Sequence, residues 1–234
     1  FSGENYFDAL EEIINSARET IHLQTYIFEE DETGNRIAEA LVNAAQRNVS
    51  VYVLTDGFGS NSLSGKFVKH LVASGINFRF FSPIFSSESI YFGRRLHHKV
   101  IVADKKMALV GGINIAGKYH GSKINPPWLD YAVLIHGEAC IYLHYLCDNI
   151  YQKKSFGKNK KKFLFDSGLK GEYMIRFRRN DWILKKNEIH HSYREALTKA
   201  ESSVTIIASY FLPGFLFRRV LKRTGKRGVE ITII

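Results

Sequence analysis

The first half of the chain alternates between apolar patterns of helical period and apolar patterns of strand period. Apolar residues recur at helical spacing over 6–17, and they alternate along one face of a predicted strand over 20–28. A turn at 31–34 precedes an Ala-rich amphipathic helix predicted over 35–47. This alternation predicts an α/β fold in which helices pack on the faces of a sheet. The further predicted elements are strands at 49–54, 76–81 and 130–136 and helices at 64–73 and 138–151, with Gly75 ending the first of these helices.

Two short apolar runs in the middle of the chain predict a hairpin. Strands are expected at 99–104 and 107–111, and the polar residues Asp104, Lys105 and Lys106 between them are typical of a tight turn. The two strands of a hairpin are antiparallel. The sheet is therefore predicted to be mixed rather than purely parallel.

Part of the first-half pattern returns near the end of the sequence. Residues 47–54 (RNVSVYVL) match 227–234 (RGVEITII), and residues 17–23 (ARETIHL) match 200–206 (AESSVTI). A repeat of this length indicates a duplicated domain. The second copy stops within a predicted strand, so we expect the portion that would bear a second site to lie outside this sequence. The predicted organisation is a first domain over 1–152, a basic linker over 153–170 and a partial second domain over 171–234.

Charge is distributed unevenly along the chain. Residues 1–150 contain 13 Lys and Arg against 16 Asp and Glu, whereas residues 151–234 contain 20 against 7. A basic half indicates a surface that meets anions, either phospholipid headgroups or nucleic acid, although an ordinary solvated basic face fits equally well.

Composition excludes some classes of protein. Cys140 and Cys147 lie seven residues apart in a helical pattern, which predicts two reduced thiols rather than a disulfide framework or a metal site. No uninterrupted apolar run approaches the roughly 20 residues that a membrane-spanning helix needs. The sequence therefore predicts no transmembrane segment in this chain.

The candidate chemistry begins with a histidine and a lysine at the start of a strand. His97 and Lys99 are two residues apart, so their side chains should project from the same face, and His98 should point to the other. A lysine brings positive charge to a phosphate, and a histidine can attack phosphorus or transfer a proton. The pair predicts a site for a phosphate-bearing ligand.

The hairpin should bring a second group of residues beside His97. Gly111 and Gly112 end the second strand of the hairpin, and Asn114 follows them. Glycines allow backbone to approach a ligand closely, and an asparagine amide can donate a hydrogen bond to a phosphate oxygen. We therefore expect these residues to bind substrate together with Lys99.

The spacing of these residues resembles the signature of the phospholipase D superfamily. Neighbouring segments at 56–60 (DGFGS) and 127–133 (PWLDYAV) resemble bacterial cardiolipin synthases. Six fixed residues at fixed intervals make the match specific. They are His97, Lys99, Asp104, Gly111, Gly112 and Asn114. The resemblance implies a phospholipase D-like mixed sheet flanked by helices, followed by the start of a duplicated second domain.

The resemblance also implies a role for each residue. His97 would attack the phosphodiester to form a covalent phosphohistidine, while the histidine of a second motif protonates the leaving alcohol. Lys99 and Asn114 would hold the nonbridging oxygens. Asp104 would support the motif away from the phosphate, and Asp130 would orient His97 through its other ring nitrogen. The resemblance implies no cofactor and no metal.

Two acidic positions have alternative interpretations. Asp130 either orients His97 or makes only a local turn bond at the start of a strand. Asp56 and Ser60 lie in a glycine-rich loop after a strand, where they either line the pocket or form a structural turn.

The resemblance favours a phosphatidyltransferase that moves a phosphatidyl group from one phosphatidylglycerol to another and releases glycerol. One alternative is a phosphodiesterase of the same superfamily that uses water on lipid or nucleic acid, and another is an anion-binding domain without turnover. Among nine histidines, His97 is the one followed two residues later by lysine, so this chain alone is expected to be inactive or nearly so. The implied partner is an anionic phospholipid at a bacterial cytoplasmic membrane, with nucleic acid as the second candidate.

Overall fold

The computed structural model describes residues 1–82, 95–153, 173, 175–181 and 186–234, and the chain divides into two compact units, 1–168 and 169–234. The helices of the first unit are α1 (Glu4–Ser16), α2 (Glu32–Gln46), α3 (Gly65–Ala73), α4 (Gly117–His120) and α5 (Ala139–Tyr151). Its strands are β1 (Thr20–Thr25), β2 (Ser50–Asp56), β3 (Asn77–Phe81), β4 (Lys99–Ala103), β5 (Met107–Gly111) and β6 (Ala132–His136). The second unit contains β7 (Asn180–Asp181), β8 (Lys186–Asn187), α6 (Glu188–Lys199), β9 (Ser203–Ile206), α7 (Phe215–Lys226) and β10 (Glu230–Ile233).

The first unit is built on a six-stranded mixed sheet in the order β3-β2-β1-β4-β5-β6. The strands β1, β2 and β3 are parallel, whereas β4 pairs antiparallel with β1, and β5 and β6 continue in antiparallel fashion. This arrangement confirms the predicted mixed sheet. It also places the start of β4 in the centre of the sheet, beside the end of β1.

Helices cover both faces of this sheet. The main core joins α1, α2 and α3 to one face, where Ile21 and Leu23 of β1 are buried with Leu41 of α2. Each such side chain contributes roughly 1.5–3 kcal/mol by leaving water. On the other face, α5 contacts β1 and β4, and Tyr151 packs with Leu54. The centre of the sheet is thus buried on both sides.

The predicted hairpin is confirmed, and Asp104 sits in its turn. Asp104 and Lys105 have φ values of 51° and 58°, and the Lys106 amide donates to the Ala103 carbonyl at 2.9 Å. Aspartate tolerates this left-handed region better than most residues do. The helix α3 likewise ends where expected, since Gly75 follows it with φ 90°.

The predicted turn at 31–34 is instead the start of a helix. The Asp31 carboxylate accepts a hydrogen bond from the Gly34 amide at 2.8 Å, and α2 begins at Glu32. Aspartate favours turns and helix N-caps for the same reason, because its short carboxylate bonds to a backbone amide two or three residues later. The residues at 31–34 that predicted a turn are therefore the N-cap and first turn of α2.

The second unit repeats the beginning of the first. Its α6, β9, α7 and β10 follow the order of α1, β1, α2 and β2, and β9 and β10 are parallel. Thr20 pairs with Ser50, and their equivalents in the aligned sequence repeats, Ser203 and Glu230, also pair. The sequence repeat thus preserves strand register. Apart from residue 153, the predicted basic linker lies outside the described residues.

Cys140 and Cys147 are both buried and free, as predicted. Burial raises the pKa of both thiols, that of Cys140 to about 11 and that of Cys147 to about 12, with the Asp148 charge contributing at Cys147. Neither thiol therefore ionises near neutral pH. Within the described ranges, no helix has both the length and the apolar character to cross a bilayer.

A buried histidine lies between the sheet and α5. The His22 side chain is 2% exposed, and its ring stacks on Tyr52 and meets His144 edge-on, each at a centroid distance of 4.8 Å. Its Nδ1 atom has no hydrogen-bond partner among the described residues. Burial and, to a lesser extent, the neighbouring His144 lower the pKa of His22 to about 4, although the Asp148 carboxylate acts in the opposite direction.

We expect this histidine to make the fold sensitive to acid. Its pKa is about 4 in the folded chain and 6.5 in the unfolded chain, so the unfolded state binds more protons between these values. The free energy of unfolding should therefore lose about 3 kcal/mol through His22 as the pH falls from 6.5 to 4. His22→Phe keeps the ring shape and should lessen that loss in denaturant titrations at pH 7 and 4.5. The exposed His70→Phe is the control, and equal acid sensitivity in the parent and His22→Phe would contradict the assignment.

Candidate functional site

His97 lies at the surface just before β4 and is held by its neighbours. The preceding residue, Leu96, is 3% exposed, and its amide donates to the Asp56 carboxylate at 2.7 Å. The His97 side chain is exposed, and its ring centroid lies 5.0 Å from that of Tyr26. A ligand in solvent can therefore reach an imidazole whose backbone is anchored.

Lys99 is the first residue of β4, and its side chain is 6% exposed. Its Nζ atom donates to the His97 carbonyl at 3.3 Å and lies 5.1 Å from the centroid of the Tyr26 ring. The predicted common face of His97 and Lys99 is confirmed, because both side chains meet the same tyrosine. An ammonium has three N–H donors, so one long bond to a carbonyl leaves donors for an anion.

The surroundings of both residues shift their pKa values. Burial lowers the pKa of Lys99 to about 8, while the carboxylates of Asp130 and Asp56 act in the opposite direction. Desolvation also lowers the pKa of His97, the Lys99 charge lowers it further, and Asp56 opposes this. At neutral pH these shifts favour a neutral imidazole beside a charged ammonium, which are the states required of a nucleophile and of an anion-binding group.

Asn114 is placed at the same end of the sheet and is 3% exposed. Its Oδ1 accepts from the Ile27 amide at 3.0 Å, and its Nδ2 donates to the Tyr119 hydroxyl at 2.8 Å. The donor at Ile27 fixes which end of the amide is oxygen. An amide nitrogen carries two hydrogens, and within the described residues one of them bonds to Tyr119, so the other is available to a ligand.

His98 points to the opposite face, as predicted. Its Nδ1 lies 3.1 Å from Oε1 of Gln24, whose Nε2 donates to the Cys147 carbonyl. This side chain is therefore part of the contact between the sheet and α5.

Asp104 supports the hairpin from outside the site. Its carboxylate accepts hydrogen bonds from the amides of Arg18, Glu19 and Thr20, each at 2.8 Å. Burial would raise the pKa of Asp104, but these three bonds outweigh it and lower the pKa. The aspartate thus ties the β4–β5 turn to the entry of β1, and no contact described for it involves His97.

The two glycines give space to the segment that carries Asp130. A Cβ at Gly111 would lie 2.3 Å from the Tyr131 carbonyl oxygen, and one at Gly112 would lie 2.2 Å from the Asp130 carboxylate. The Asp130 carboxylate also accepts from the Tyr131 amide at 2.7 Å. Asp130 therefore makes the local turn bond that was one of its two interpretations. Its negative charge also raises the pKa of Lys99, against the effect of burial. Any larger residue at Gly112 would displace it.

Asp56 and Ser60 form a structural clamp around the site. Asp56 is fully buried, and its Oδ1 accepts from the amides of Phe58 and Gly59 while its Oδ2 accepts from Leu96. The Ser60 hydroxyl donates to the Tyr26 carbonyl and accepts from the amide at residue 28. Asp56 thus fixes the backbone at Leu96, just before His97, and Ser60 fixes the backbone of Tyr26, whose ring contacts His97.

Sequence patterns did not reveal two parts of this site. Tyr26 contacts both His97 and Lys99, but its place in a predicted strand gave it no role at the site, and the residue in fact follows the end of β1. The bond from Leu96 to Asp56 joins residues 40 apart in sequence. Within the described part of the chain, no group of three or more His, Cys, Asp or Glu side chains is arranged to hold a metal ion.

Comparisons with known proteins agree with this fold. Residues 10–125 match the family described as "Cardiolipin synthase, PLD-like domain". Phosphatidylserine synthase from Haemophilus influenzae has a similar fold, with a TM-score of 0.70 and 16% sequence identity over 99% of this chain and 59% of that one. Residues 10–125 therefore form a domain of the phospholipase D superfamily. More narrowly, residues 10–125 are a phospholipase D-like domain of the cardiolipin synthase family.

Similarity to curated cardiolipin synthases extends along the whole chain. Cardiolipin synthase B of Escherichia coli K12 is 33% identical over 239 residues, covering 100% of this chain and 58% of that protein. Cardiolipin synthase 1 of Bacillus anthracis is 27% identical over 246 residues, covering 100% of this chain and 48% of that protein. The chain thus spans about half the length of these relatives.

Asp56→Asn should destabilise the protein through its backbone contacts. Both carboxylate oxygens of Asp56 accept amide hydrogen bonds, whereas an asparagine amide would turn a donor toward at least one of those N–H groups. We expect a loss of about 2 kcal/mol in the free energy of unfolding, measured by denaturant titration. The exposed Glu39→Gln is the charge-matched control. A change in Asp56→Asn no larger than in that control would contradict the clamp.

Proposed function

We propose that this protein is part of a phosphatidyltransferase of the cardiolipin synthase type, with His97 as the nucleophile. The observation that carries the proposal is the accessible His97 ring beside the buried Lys99 ammonium, both in contact with Tyr26. The lowered pKa of His97 favours the neutral form that attacks phosphorus. The lysine supplies charge where a phosphodiester would bind.

In the proposed first step, a ring nitrogen of His97 forms a bond to the phosphorus of phosphatidylglycerol. The bond from phosphorus to the glycerol oxygen breaks, and an acid supplies a proton so that glycerol leaves as an alcohol. Lys99 and the free Nδ2 donor of Asn114 bind the nonbridging oxygens, whose charge is greatest in the transition state.

In the second step, the glycerol hydroxyl of another phosphatidylglycerol attacks the phosphorus. That hydroxyl gives its proton to the group that acted as acid, the phosphorus–nitrogen bond breaks, and His97 is regenerated. The products are cardiolipin and the glycerol released earlier. Asp130 is proposed to orient His97 during both steps, which is supported by its place against Gly112 and by its electrostatic effect on Lys99.

The acid in this scheme is proposed to be the histidine of a second motif. His97 is the one histidine of the sequence followed by lysine two residues later, so residues 1–234 alone should turn over very slowly. Release of glycerol from phosphatidylglycerol by these residues alone, as a monomer, would contradict that expectation. We further propose that the complete protein works at the surface of an anionic bacterial membrane, where its substrate lies.

A hydrolase is the second candidate function. The exposure of His97 favours it, because water can reach the same phosphohistidine and take the place of the second lipid. The two candidates share His97, Lys99 and Asn114, so their products distinguish them: cardiolipin with glycerol for the transferase, and phosphatidic acid for a lipid hydrolase.

His97→Gln should abolish turnover in the full-length protein by removing the nucleophile. The assay uses phosphatidylglycerol vesicles with products identified by mass spectrometry, and we expect a loss of at least about 10³-fold. His70→Gln, at an exposed position on α3, should retain activity within about twofold. Activity of His97→Gln within a few-fold of the parent would refute the site assignment, whereas phosphatidic acid as the parent's product would favour the hydrolase.

Lys99 should impose an alkaline limit on activity. Because its pKa in the free protein is about 8, the ammonium is charged below this pH and neutral above it. We expect kcat/KM for phosphatidylglycerol to fall as the pH rises through about 8. Lys99→Arg keeps the charge at high pH, so its lower activity should not fall in that range. An unchanged alkaline limit in Lys99→Arg would exclude Lys99 as its source.

A further inference from the structure

The helix α7 carries a dense set of cations. It contains no acidic residue, and five Lys or Arg side chains are exposed on it: Arg218, Arg219, Lys222, Arg223 and Lys226. They line one surface depression together with Phe215. No ion pair is described between these cations and any carboxylate of residues 175–181 or 186–234. Their charge is therefore not neutralised within the described part of their own unit.

The sequence repeat shows which side of α7 faces inward. At an offset of 180, the inward side chains of α7 correspond to buried residues of α2, namely Ile37, Ala40, Leu41 and Ala44. Their counterparts in α7 are Phe217, Val220, Leu221 and Thr224. Thr224 is fully buried and donates to the Leu197 carbonyl at 2.9 Å, and the other three are half-buried. The two helices therefore turn the same side toward the interior of their units, and in the second unit that side meets α6.

The same offset identifies the side of α7 that faces outward in a complete domain. Besides Glu32, whose counterpart precedes α7, four residues of α2 remain exposed although the six-stranded sheet of the first unit is complete: Asn35, Glu39, Asn43 and Gln46. Their counterparts are Phe215, Arg219, Arg223 and Lys226, which we call the α7 basic face. In the first copy these positions are neutral or acidic, so the cations are not required by the packing of the helix.

We infer that the α7 basic face docks the protein on an anionic phospholipid bilayer. Three cations on one side of a helix match the negative charge of such a surface. Phe215 and Leu216 are 71% and 54% exposed at the N-terminal end of the same helix, and apolar side chains beside cations suit the boundary between headgroups and acyl chains. The inference rests on the proposed function, since a lipid substrate requires the protein to reach a bilayer.

The test is vesicle binding by the full-length protein with three cations removed. The variant is Arg219→Gln/Arg223→Gln/Lys226→Gln, and the probes are phosphatidylglycerol–phosphatidylcholine vesicles and pure phosphatidylcholine vesicles in sedimentation assays. Each cation near an anionic surface contributes a factor of about five, so we expect binding to anionic vesicles to weaken on the order of 100-fold. The parent should bind pure phosphatidylcholine vesicles weakly, and its binding to anionic vesicles should weaken as the salt concentration rises.

The matched control removes the same charge elsewhere. Lys66, Lys69 and Lys123 are exposed in the first unit, and Lys66→Gln/Lys69→Gln/Lys123→Gln changes the net charge by the same amount. This control should lose less than about fivefold in binding. Equal losses in the two triple variants would mean that net charge rather than the α7 basic face governs binding, and would overturn the inference.

Two further measurements distinguish membrane docking from catalysis and from binding of nucleic acid to the same face. Turnover of phosphatidylglycerol dispersed in detergent should be the same in the α7 variant and the parent, which also shows that the variant is folded. If the parent has no turnover but its vesicle binding depends on the α7 basic face, the proposed function fails and the docking inference stands. Unchanged vesicle binding by the α7 variant, or a loss confined to the binding of duplex DNA, would overturn the inference.

Discussion

Burial of the Lys99 ammonium at the start of β4 is the constraint on which the rest of the site depends. A cation that is 6% exposed loses much of its hydration, and its described contacts, a carbonyl and a tyrosine ring, restore little of it. A bound phosphodiester would supply an opposite charge, so the energetic cost of burying this lysine would become selectivity for an anion. Desolvation first, and then this same positive charge, lower the pKa of His97 and so favour its nucleophilic form.

Two aspartates stabilise the backbone around His97 and Lys99 without contacting either side chain through a described hydrogen bond. Asp104 binds three backbone amides at the entry of β1, and Asp56 binds the amide of Leu96 beside His97. Each carboxylate satisfies several amides that no strand ladder reaches, which fixes loops that would otherwise move. Precise placement of His97 therefore comes from hydrogen bonds between these carboxylates and the main chain, not from contacts to the imidazole ring itself.

The sequence predicted those parts of the site that depend on local geometry. His97 and Lys99 share a face because strand side chains alternate, and the turn at Asp104 follows from its polar residues. The clamp from Asp56 could not be predicted, because β2 and β4 are separated in the sheet by β1 and their loops meet only after folding. The start of α2 was missed for a different reason, since a turn and a helix cap favour the same residues.

The two copies show which features of this fold are fixed and which are free to vary. Strand register and the inward side of the second helix are retained, because changing either would move apolar side chains out of the core. The outward side is under no such constraint, and there Glu39 in one copy corresponds to Arg219 in the other. A duplicated scaffold can therefore keep its packing while one copy acquires a surface for an anionic partner. If that partner is the bilayer, the basic second half and the phosphate site proposed in the first half serve the same lipid substrate.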